Sequence, residues 1–422
     1  MIKRIALIAF LILISIKGFS QEKTITSVKI QGNEKLKTSF IERILVVKSG
    51  SVLDSIKLEE DILRLKRIPA VSHATYQVFH SHDSEYNVFY NIEENYTIIP
   101  SVSIWTTTDK RVAYKLGIYD FNFLGRNISL GGSYQNNGFN SYAINFRAPY
   151  LFSNKFGLAV NLQDWKSKEP LYFEGGSANY KYNNKAFEVL GLYEINFKNS
   201  IQLGFNFFNE KYNILPGDFL PPVAQRNLDI NKTLFKFIYN YDNLDYFFQY
   251  IDGFKSQFYG QYVATSNTFQ DSFLIAWNDF FFYKRVGEKG NWANRLRMGL
   301  ASNEESPFAP FALDNNVNLR GVGILVDRGT GSIVLNTEYR QTLYEKKVFV
   351  LQGNAFLDAG TWRHPGGKLS DFTNSDNMHF YSGIGLRFMH KKIYNAIFRI
   401  DYGYGLKKGA GKGIVFGIGQ YF

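Results

Sequence analysis

The pattern of apolar and polar residues divides the chain into three regions, and the first is short. Residues 1–20 begin with two basic side chains and continue with an apolar run from Ile5 to Ile16. A basic start, an apolar run of about a dozen residues and small residues after it are typical of a secretory signal peptide. We place the cleavage site after Ser20, because residues 18–20 follow the run at the usual cleavage spacing. The run is too short to span a bilayer comfortably as a helix. The alternative is an uncleaved anchor.

The second region, residues 21–98, combines strand and helix periodicities. Residues 24–31 alternate between apolar and polar side chains, which predicts a strand. Apolar residues at helical spacing then predict two helices, and Asp54 is placed to cap the second of them. Two further alternating stretches, near 74–80 and 86–93, complete the order strand, helix, helix, strand, strand. This order predicts a small α+β domain.

The third region, residues 99–422, alternates without a helical period. Near the end of the chain, Phe398 and Ile400 fall on one face of a strand, and Arg399 and Asp401 fall on the other. Apolar side chains can face lipid, whereas charged side chains need water or partners. We count sixteen strand-like segments and a closing seventeenth. Single-chain bacterial barrels have an even number of strands, so we merge one short segment with a neighbour. The region predicts an all-β transmembrane barrel of about 16 antiparallel strands.

Strand length and composition separate this prediction from a soluble β-sandwich. A sandwich shows the same alternation, but its strands average about 5–6 residues, and most segments here are roughly twice as long. The chain has 39 Phe and 28 Tyr, yet its mean hydropathy is −0.21. A membrane barrel explains both values, because aromatic residues collect at its rims while polar residues line its interior.

Charge and cysteine content exclude two other classes of protein. The net charge of +11 comes from basic residues scattered singly, without a basic helix or stripe, so we expect no nucleic-acid partner. Lining of the barrel interior and contacts with anionic outer-membrane lipids explain the charge more simply. The chain has no cysteine, which excludes a lipoprotein, disulfides and thiol chemistry.

A long loop before the last strands contains a candidate structural site. Residues 303–330 interrupt the strand pattern, and Arg320 lies near the end of this loop. On the next two strands, Glu338 and Asp358 each lie on the polar face, so both can project into one region of the interior. A loop folded back inside the barrel would place Arg320 in a bidentate pair with one carboxylate. The alternative is an ordinary exposed arginine.

Several motifs resemble those of the BamA/TamA superfamily of outer-membrane assembly and translocation pores, also called the bacterial surface antigen family. Leu319-Arg320-Gly321 resembles its Val-Arg-Gly-(Phe/Tyr) loop motif, although Val322 replaces the usual aromatic residue, and residues 356–360 match its Phe-x-Asp-x-Gly strand motif. Residues 21–98 resemble a single periplasmic POTRA domain. The resemblance implies that Arg320 and Gly321 form a loop lock with Asp358. We expect Glu338 as a second partner.

The last strand has two further features. Its apolar positions end at Phe422, in a pattern that looks like the terminal recognition signal of bacterial barrels. It is also rich in glycine, which weakens strands, at Gly411, Gly413, Gly417 and Gly419. We therefore expect a weak seam between the first and last barrel strands, whose edges could template an incoming client strand. The alternative is that the glycines only relieve crowding in the interior.

The residues do not suggest an enzyme. His80, His82 and Asp83 could be metal ligands, but they lie in a predicted hairpin turn. We find no nucleophile elbow and no phosphate-binding loop, and we expect no cofactor or metal.

The predicted function is that of a pore in the cell outer membrane, with its N-terminal domain in the periplasm, that assembles or translocates proteins. The expected partners are client outer-membrane or secreted proteins and outer-membrane lipids, and periplasmic accessory proteins remain open. The alternative is a passive porin or receptor barrel for small solutes.

Overall fold

The computed structural model describes residues 22–106, 112–173, 176–215, 226–266, 270–303, 309–313, 318–323 and 328–422. The predicted signal peptide lies outside these residues. The N-terminal domain contains the predicted order of elements, namely β1 (Thr24–Gln31), α1 (Thr38–Ile44), α2 (Ser55–Lys66), β2 (Val71–His80) and β3 (Glu85–Glu94).

The N-terminal domain is a three-stranded sheet covered by two helices. The strand order is β1-β3-β2, with β1 parallel and β2 antiparallel to β3. Asp54 caps α2 as predicted, because its carboxylate accepts hydrogen bonds from the backbone N–H groups of Ile56 at 2.9 Å and Lys57 at 3.4 Å. Apolar side chains of both helices and of the sheet form one core, and Leu65 and Val88 within it are fully buried. Their removal from water stabilises the domain.

A buried carboxylate connects three parts of this domain. Asp61 on α2 is fully buried. It accepts hydrogen bonds from the backbone N–H groups of Val46 at 2.7 Å and Val47 at 3.0 Å, and from the Tyr90 hydroxyl at 3.0 Å. A buried carboxylate is tolerated when donors surround it in this way. Asp61 therefore joins the loop after α1 to α2 and β3.

The rest of the described chain forms one antiparallel sheet of sixteen strands in chain order, interrupted only by a two-stranded hairpin in the loop after β14. The strands, including the hairpin strands β15 and β16, are β4 (Ile98–Thr106), β5 (Val112–Phe123), β6 (Ile128–Asn136), β7 (Asn140–Ala148), β8 (Phe156–Phe173), β9 (Gly176–Asn196), β10 (Asn199–Ile214), β11 (Asn227–Phe247), β12 (Tyr250–Thr265), β13 (Phe273–Val286), β14 (Gly290–Ala301), β15 (Phe311–Ala312), β16 (Arg328–Gly329), β17 (Gly331–Lys346), β18 (Phe349–Arg363), β19 (His379–His390), β20 (Ile397–Gly405) and β21 (Lys412–Ile418).

This architecture confirms the predicted fold class, an all-β barrel of 16 antiparallel strands preceded by a small α+β domain, as far as the described residues extend. The short segment that the sequence pattern left to merge is part of β9. The sheet begins with β4 and ends with β21, and no ladder joins these two strands within the described residues. We call the boundary between them the seam. Strand length is uneven, from 21 residues in β9 and β11 to 9 in β4 and 7 in β21.

The two faces of the sheet differ as the alternation predicts. Ile384 and Phe416 point outward, and each is 67% exposed. Arg387 and Asp401 point inward and are fully buried. The outward face suits lipid, whereas the inward face suits water or ion pairs. Among the described helices, none combines the length and the apolar character needed to cross a membrane.

The N-terminal domain lies against one end of the barrel, which we call the near end; the opposite end is the far end. Arg64 on α2 forms an ion pair with Glu194 of β9, with a distance of 2.5 Å between Nη1 and Oε1. Arg67, which follows α2, donates hydrogen bonds to the carbonyl oxygens of Phe197 and Asp242, both at 2.9 Å. Polar contacts to β9, to β11 and to the turn after β9 therefore hold the domain in place.

The Asp61 contacts generate a first prediction. In Asp61→Ala, two buried N–H groups and the Tyr90 hydroxyl lose their acceptor, so we expect the domain to lose about 2–4 kcal/mol of stability. Pulse proteolysis of the detergent-solubilised chain in urea measures this loss. In the control Glu59→Ala, an exposed side chain loses its hydrogen bond to Tyr76, and the expected change is below about 0.5 kcal/mol. Equal protease resistance of the two variants would contradict the assigned role.

Candidate functional site

The loop between β14 and β17 folds back into the barrel at Arg320. Leu319 and Arg320 are fully buried. Gly321 has a φ of +98°, which favours glycine, and the loop backbone passes directly over Gly403 of β20. A Cβ atom on Gly403 would lie 2.2 Å from the carbonyl oxygen of Arg320. Glycine is therefore required on both sides of this contact.

Arg320 contacts the carboxylates that the sequence pattern selected. Its Nε and Nη2 atoms donate to the two carboxylate oxygens of Asp358, both at 2.8 Å, and its backbone N–H donates to the same carboxylate at 3.0 Å. Its Nη1 atom donates to Glu338. The guanidinium also lies over the ring of Phe356, with its Cζ atom 3.6 Å from the ring centroid. The structure thus brings Arg320, Asp358 and Glu338 together.

The pairing extends into a network that the sequence analysis did not assemble. Arg340 Nε lies 2.5 Å from Glu338, and Arg387 Nη1 lies 2.7 Å from Asp401. Arg387 Nη2 also reaches Glu338 at 3.4 Å. We use the name lock network for these three arginines and three carboxylates among the described residues: Arg320, Arg340, Arg387, Glu338, Asp358 and Asp401.

The side chains of the lock network are completely buried, so each charge depends on its partners rather than on water. The three residues that sequence reasoning missed all lie on inward faces of β17, β19 and β20. The alternation therefore carried a signal for them. It identified their faces but gave no information on how deep in the barrel each side chain lies.

The loop also reaches the opposite wall at the far end of the barrel. Its strand β16 pairs with β15, and Arg328 of β16 forms an ion pair with Glu169 of β8, with Nη2 and Oε2 2.7 Å apart. In the order of strands around the sheet, β8 lies nearly opposite β17. The loop therefore crosses the interior at the far end.

The prediction that Phe422 continues the outward apolar row of the last strand is wrong. Ile414 and Phe416 are exposed on that row, but β21 ends at Ile418, and Gly419 adopts a φ of +85°. The chain then turns inward, and the carbonyl oxygen of Phe422 accepts a hydrogen bond of 3.2 Å from Arg340. A left-handed backbone at Gly419 interrupts the alternation, and alternation alone does not reveal such a turn.

Tyr421 packs among the interior arginines. Its ring centroid lies 4.5 Å from the Cζ atom of Arg320 and 4.8 Å from that of Arg399. Arginine over an aromatic face is a favourable contact, and its energy increases when water is excluded. These contacts favour the inward course of the last residues.

The glycines of the last strand have different surroundings. A Cβ atom on Gly417 would lie 2.1 Å from Nη2 of Arg399, so this glycine relieves crowding inside the barrel. A Cβ atom on Gly411 would lie 3.4 Å from the carbonyl oxygen of Gly321, an ordinary contact distance, and a Cβ atom on Gly413 would have no atom of the described chain within 4 Å. Crowding therefore accounts for Gly417 but not for Gly413.

Of the histidines considered as metal ligands, His80 ends β2 and His82 lies in the turn after it. The Nε2 atom of His80 lies 2.5 Å from the carbonyl oxygen of Asp83, a residue with a φ of 42°. Across the described parts of the chain, no group of three or more His, Asp or Glu side chains is arranged to hold a metal ion.

Comparison with known families agrees with this architecture. The model of the Omp85 superfamily domain matches residues 122–422, and the POTRA model, described as a surface antigen variable number repeat, matches residues 23–95. The chain therefore belongs to the Omp85 superfamily, which confirms the resemblance noted in its motifs. The N-terminal domain is a POTRA domain.

Solved structures with the same fold cover nearly the whole chain. BamA from Haemophilus ducreyi lacking POTRA domains 1–3 is 17% identical with a TM-score of 0.57, over 93% of this chain and 83% of that chain. CdiB from Escherichia coli is 12% identical with a TM-score of 0.62, over 94% and 75%. CdiB from Acinetobacter baumannii is 14% identical with a TM-score of 0.60, over 94% and 73%. At these identities the similarity establishes the fold.

The lock network generates a second prediction. Arg320→Ala leaves buried carboxylates without their partner, so we expect a loss of about 3–5 kcal/mol. The control Arg297→Ala removes another interior ion pair, with Asp279, whose arginine is 22% exposed, and we expect a loss of about 1–2 kcal/mol. Urea unfolding in phospholipid vesicles, followed by tryptophan fluorescence, compares the two variants. Equal losses would show that Arg320 has no special structural role.

The contact between the loop and β20 generates a third prediction from two glycines that are direct cross-strand partners. Gly403→Ala forces the loop away from β20, and we expect a loss of about 1–3 kcal/mol in the same unfolding assay. Gly413→Ala adds a methyl group where the described chain leaves open space. The urea concentration at which half of this variant is unfolded should therefore stay close to that of the unmodified protein. A neutral Gly403→Ala would contradict the close packing of loop and strand.

Proposed function

We propose that this protein is an outer-membrane pore that inserts or translocates client proteins, with its POTRA domain in the periplasm. The observation that carries the proposal is the seam. In the part of the chain that the structure describes, β4 and β21 end the sheet without a ladder between them. Such an edge presents free backbone groups to an incoming strand, which can pair by β-augmentation.

The seam is anchored at the near end by the segment that leads into β4. The backbone N–H of Tyr96 donates to the carbonyl oxygen of Lys392 at 2.8 Å, and the N–H of Tyr394 donates to the carbonyl oxygen of Tyr96 at 3.1 Å. These bonds connect the start of the barrel to the turn between β19 and β20. They support a seam that is fixed close to the POTRA domain and separates above this point.

The position of the POTRA domain supports the handling of clients from the periplasm. Through Arg64 and Arg67 the domain contacts the near ends of β9 and β11, so a chain arriving from that side meets the domain before the barrel. The partners in this proposal are unfolded outer-membrane or secreted proteins, with outer-membrane lipid against the outward apolar face. The proposal requires no catalytic group and no cofactor.

The interior disfavours the alternative of a passive porin. An open diffusion channel has no need of a buried loop, yet here the loop is paired to both walls, through Arg320 with Asp358 on one side and Arg328 with Glu169 on the other. Such a crossing obstructs the path of small solutes.

Depletion of the protein tests the proposed function at the level of the cell. Quantitative proteomics of the outer membrane and the medium should show loss of client proteins, many for a general assembly factor and one or a few for a dedicated translocator. A copy with Arg320→Ala should restore the clients incompletely, because its loop is no longer held. If no protein changed and small-solute uptake fell instead, the porin alternative would be correct.

Site-specific photo-cross-linking tests the use of the seam, which is our fourth prediction. A photoreactive phenylalanine analogue at Val102 of β4 should form adducts with client proteins during their biogenesis. The matched control is the same analogue at Phe205 of β10, which lies far from the seam and is 48% exposed, against 49% for Val102. Adducts of equal yield at both positions, or none at Val102, would contradict client pairing at the seam.

A further inference from the structure

One interior arginine, Arg399, takes no part in the ion pairs of the lock network. Arg399 on β20 is 7% exposed, and its Nε and Nη1 atoms are sealed from solvent without a hydrogen-bond partner among the described residues. No carboxylate within the described chain lies within 4.0 Å of it, and its direct partner across the sheet is another arginine, Arg387. A buried cation without an acceptor is energetically unfavourable and requires an explanation.

The guanidinium of Arg399 is covered by Tyr421, which lies outside the sheet. Gly417, directly opposite on β21, provides the space for the guanidinium. The ring of Tyr421 covers it at 4.8 Å. Residues 419–422 lie beyond the ladder between β20 and β21. Movement of these few residues would uncover Arg399 without breaking that ladder.

A cavity at the near end of the barrel approaches this position. It has a volume of about 480 Å³ and lies between the POTRA domain and the barrel, with Ile68 and Val71 of the domain in its wall. Its wall also contains Ile397, which shares the inward face of β20 with Arg399, and Gln420, which precedes Tyr421. Residues two apart on one face of a strand lie about 7 Å from each other. The wall of the cavity therefore comes to within about 7 Å of Arg399 along β20.

The wall of this cavity favours an anionic, partly apolar chain. Lys66, Arg67 and Lys391 contribute positive charge, and Asp242 is the one carboxylate among the described lining residues. Each of these cations also contacts a carboxylate, but of those carboxylates only Asp242 lines the cavity. The lining residues themselves therefore carry an excess of positive charge. Positive charge along a cleft with apolar walls raises the local concentration of anions.

We propose that Arg399 is a docking site for a carboxylate of an extended client segment that enters through this cavity and displaces Tyr421. The inference rests on the proposed function and adds a chemical recognition element to it. A carboxylate would supply the acceptor that the buried guanidinium lacks, in the geometry that arginine favours. The ion pairs of the lock network would remain, because none of them involves residues 419–422.

Peptide binding to the full-length protein in detergent tests this site and is our fifth prediction. The probe is a fluorescent peptide with the sequence of residues 412–422, made with a free terminal carboxylate or a terminal amide. Fluorescence anisotropy should show about tenfold tighter binding of the free acid, as expected for a charge-assisted hydrogen bond. A third peptide, amidated but carrying an added aspartate next to the end, distinguishes a chain-terminal carboxylate from an acidic side chain.

Three variants locate the effect at Arg399. Arg399→Gln should bind acid and amide with similar affinity, and Arg297→Gln, which changes another interior arginine, should keep the tenfold preference. Tyr421→Ala should bind the free acid more tightly than the unmodified protein does, because the ring that covers the site is absent. Heat-dependent migration in gel electrophoresis verifies that each barrel is folded. The gain expected for Tyr421→Ala cannot result from misfolding.

Equal affinity of acid and amide for the unmodified protein, absence of binding, or an unchanged preference in Arg399→Gln would overturn the docking site. Tight binding of the aspartate peptide would support it, with acidic side chains as the source of the carboxylate. The proposed function is tested separately. If the carboxylate preference fails while adducts persist at Val102, only the docking site is wrong, whereas loss of the adducts counts against the proposed function itself.

Discussion

The constraint on which the interior depends is the cost of burying charge. Within the described chain, the lock network keeps three arginines and three carboxylates away from water, and each remains favourable only while its partners stay in place. The loop must therefore enter the barrel, and β17 to β20 must hold their register so that the network can form. The glycines at 321 and 403 follow from the same constraint, because the loop backbone has to approach β20 closely enough for Arg320 to reach Asp358.

The lock network and the seam share a contact. Tyr421 lies between Arg320, which belongs to the loop, and Arg399, which lies beside the last strand. The inward turn at Gly419 that brings Tyr421 there also removes the final residues from β21, which ends at Ile418. The arrangement that fills the interior thus shortens the strand that would have to close the barrel against β4. A change in the loop can therefore affect the last strand through Tyr421, and a change in the last strand can affect the loop in the same way.

The two-residue period of the sequence predicts much of this structure. It gives the inward and outward faces and the shared region into which Glu338 and Asp358 project. The number of barrel strands follows only when the pattern is combined with the even strand number of single-chain barrels. The two-residue period does not predict that Arg387 and Asp401 join the network, because a period reports the face of a strand and not the depth at which a side chain lies. It also fails at Phe422, where a left-handed glycine and interior arginines override the pattern of the strand.

In the described sheet, β4 and β21 each have a free edge, because every other strand is hydrogen-bonded to a neighbour on both sides. Along β9, β10 and β11 the backbone groups pair over long ladders, and the buried ion pair between Lys232 and Glu210 adds a further connection, with Nζ and Oε2 2.6 Å apart. A strand inserted there would have to break those ladders first. At the boundary between β4 and β21, the described residues have no ladder to break. The fold therefore concentrates its cross-strand bonds opposite the seam and leaves the free strand edges beside the POTRA domain.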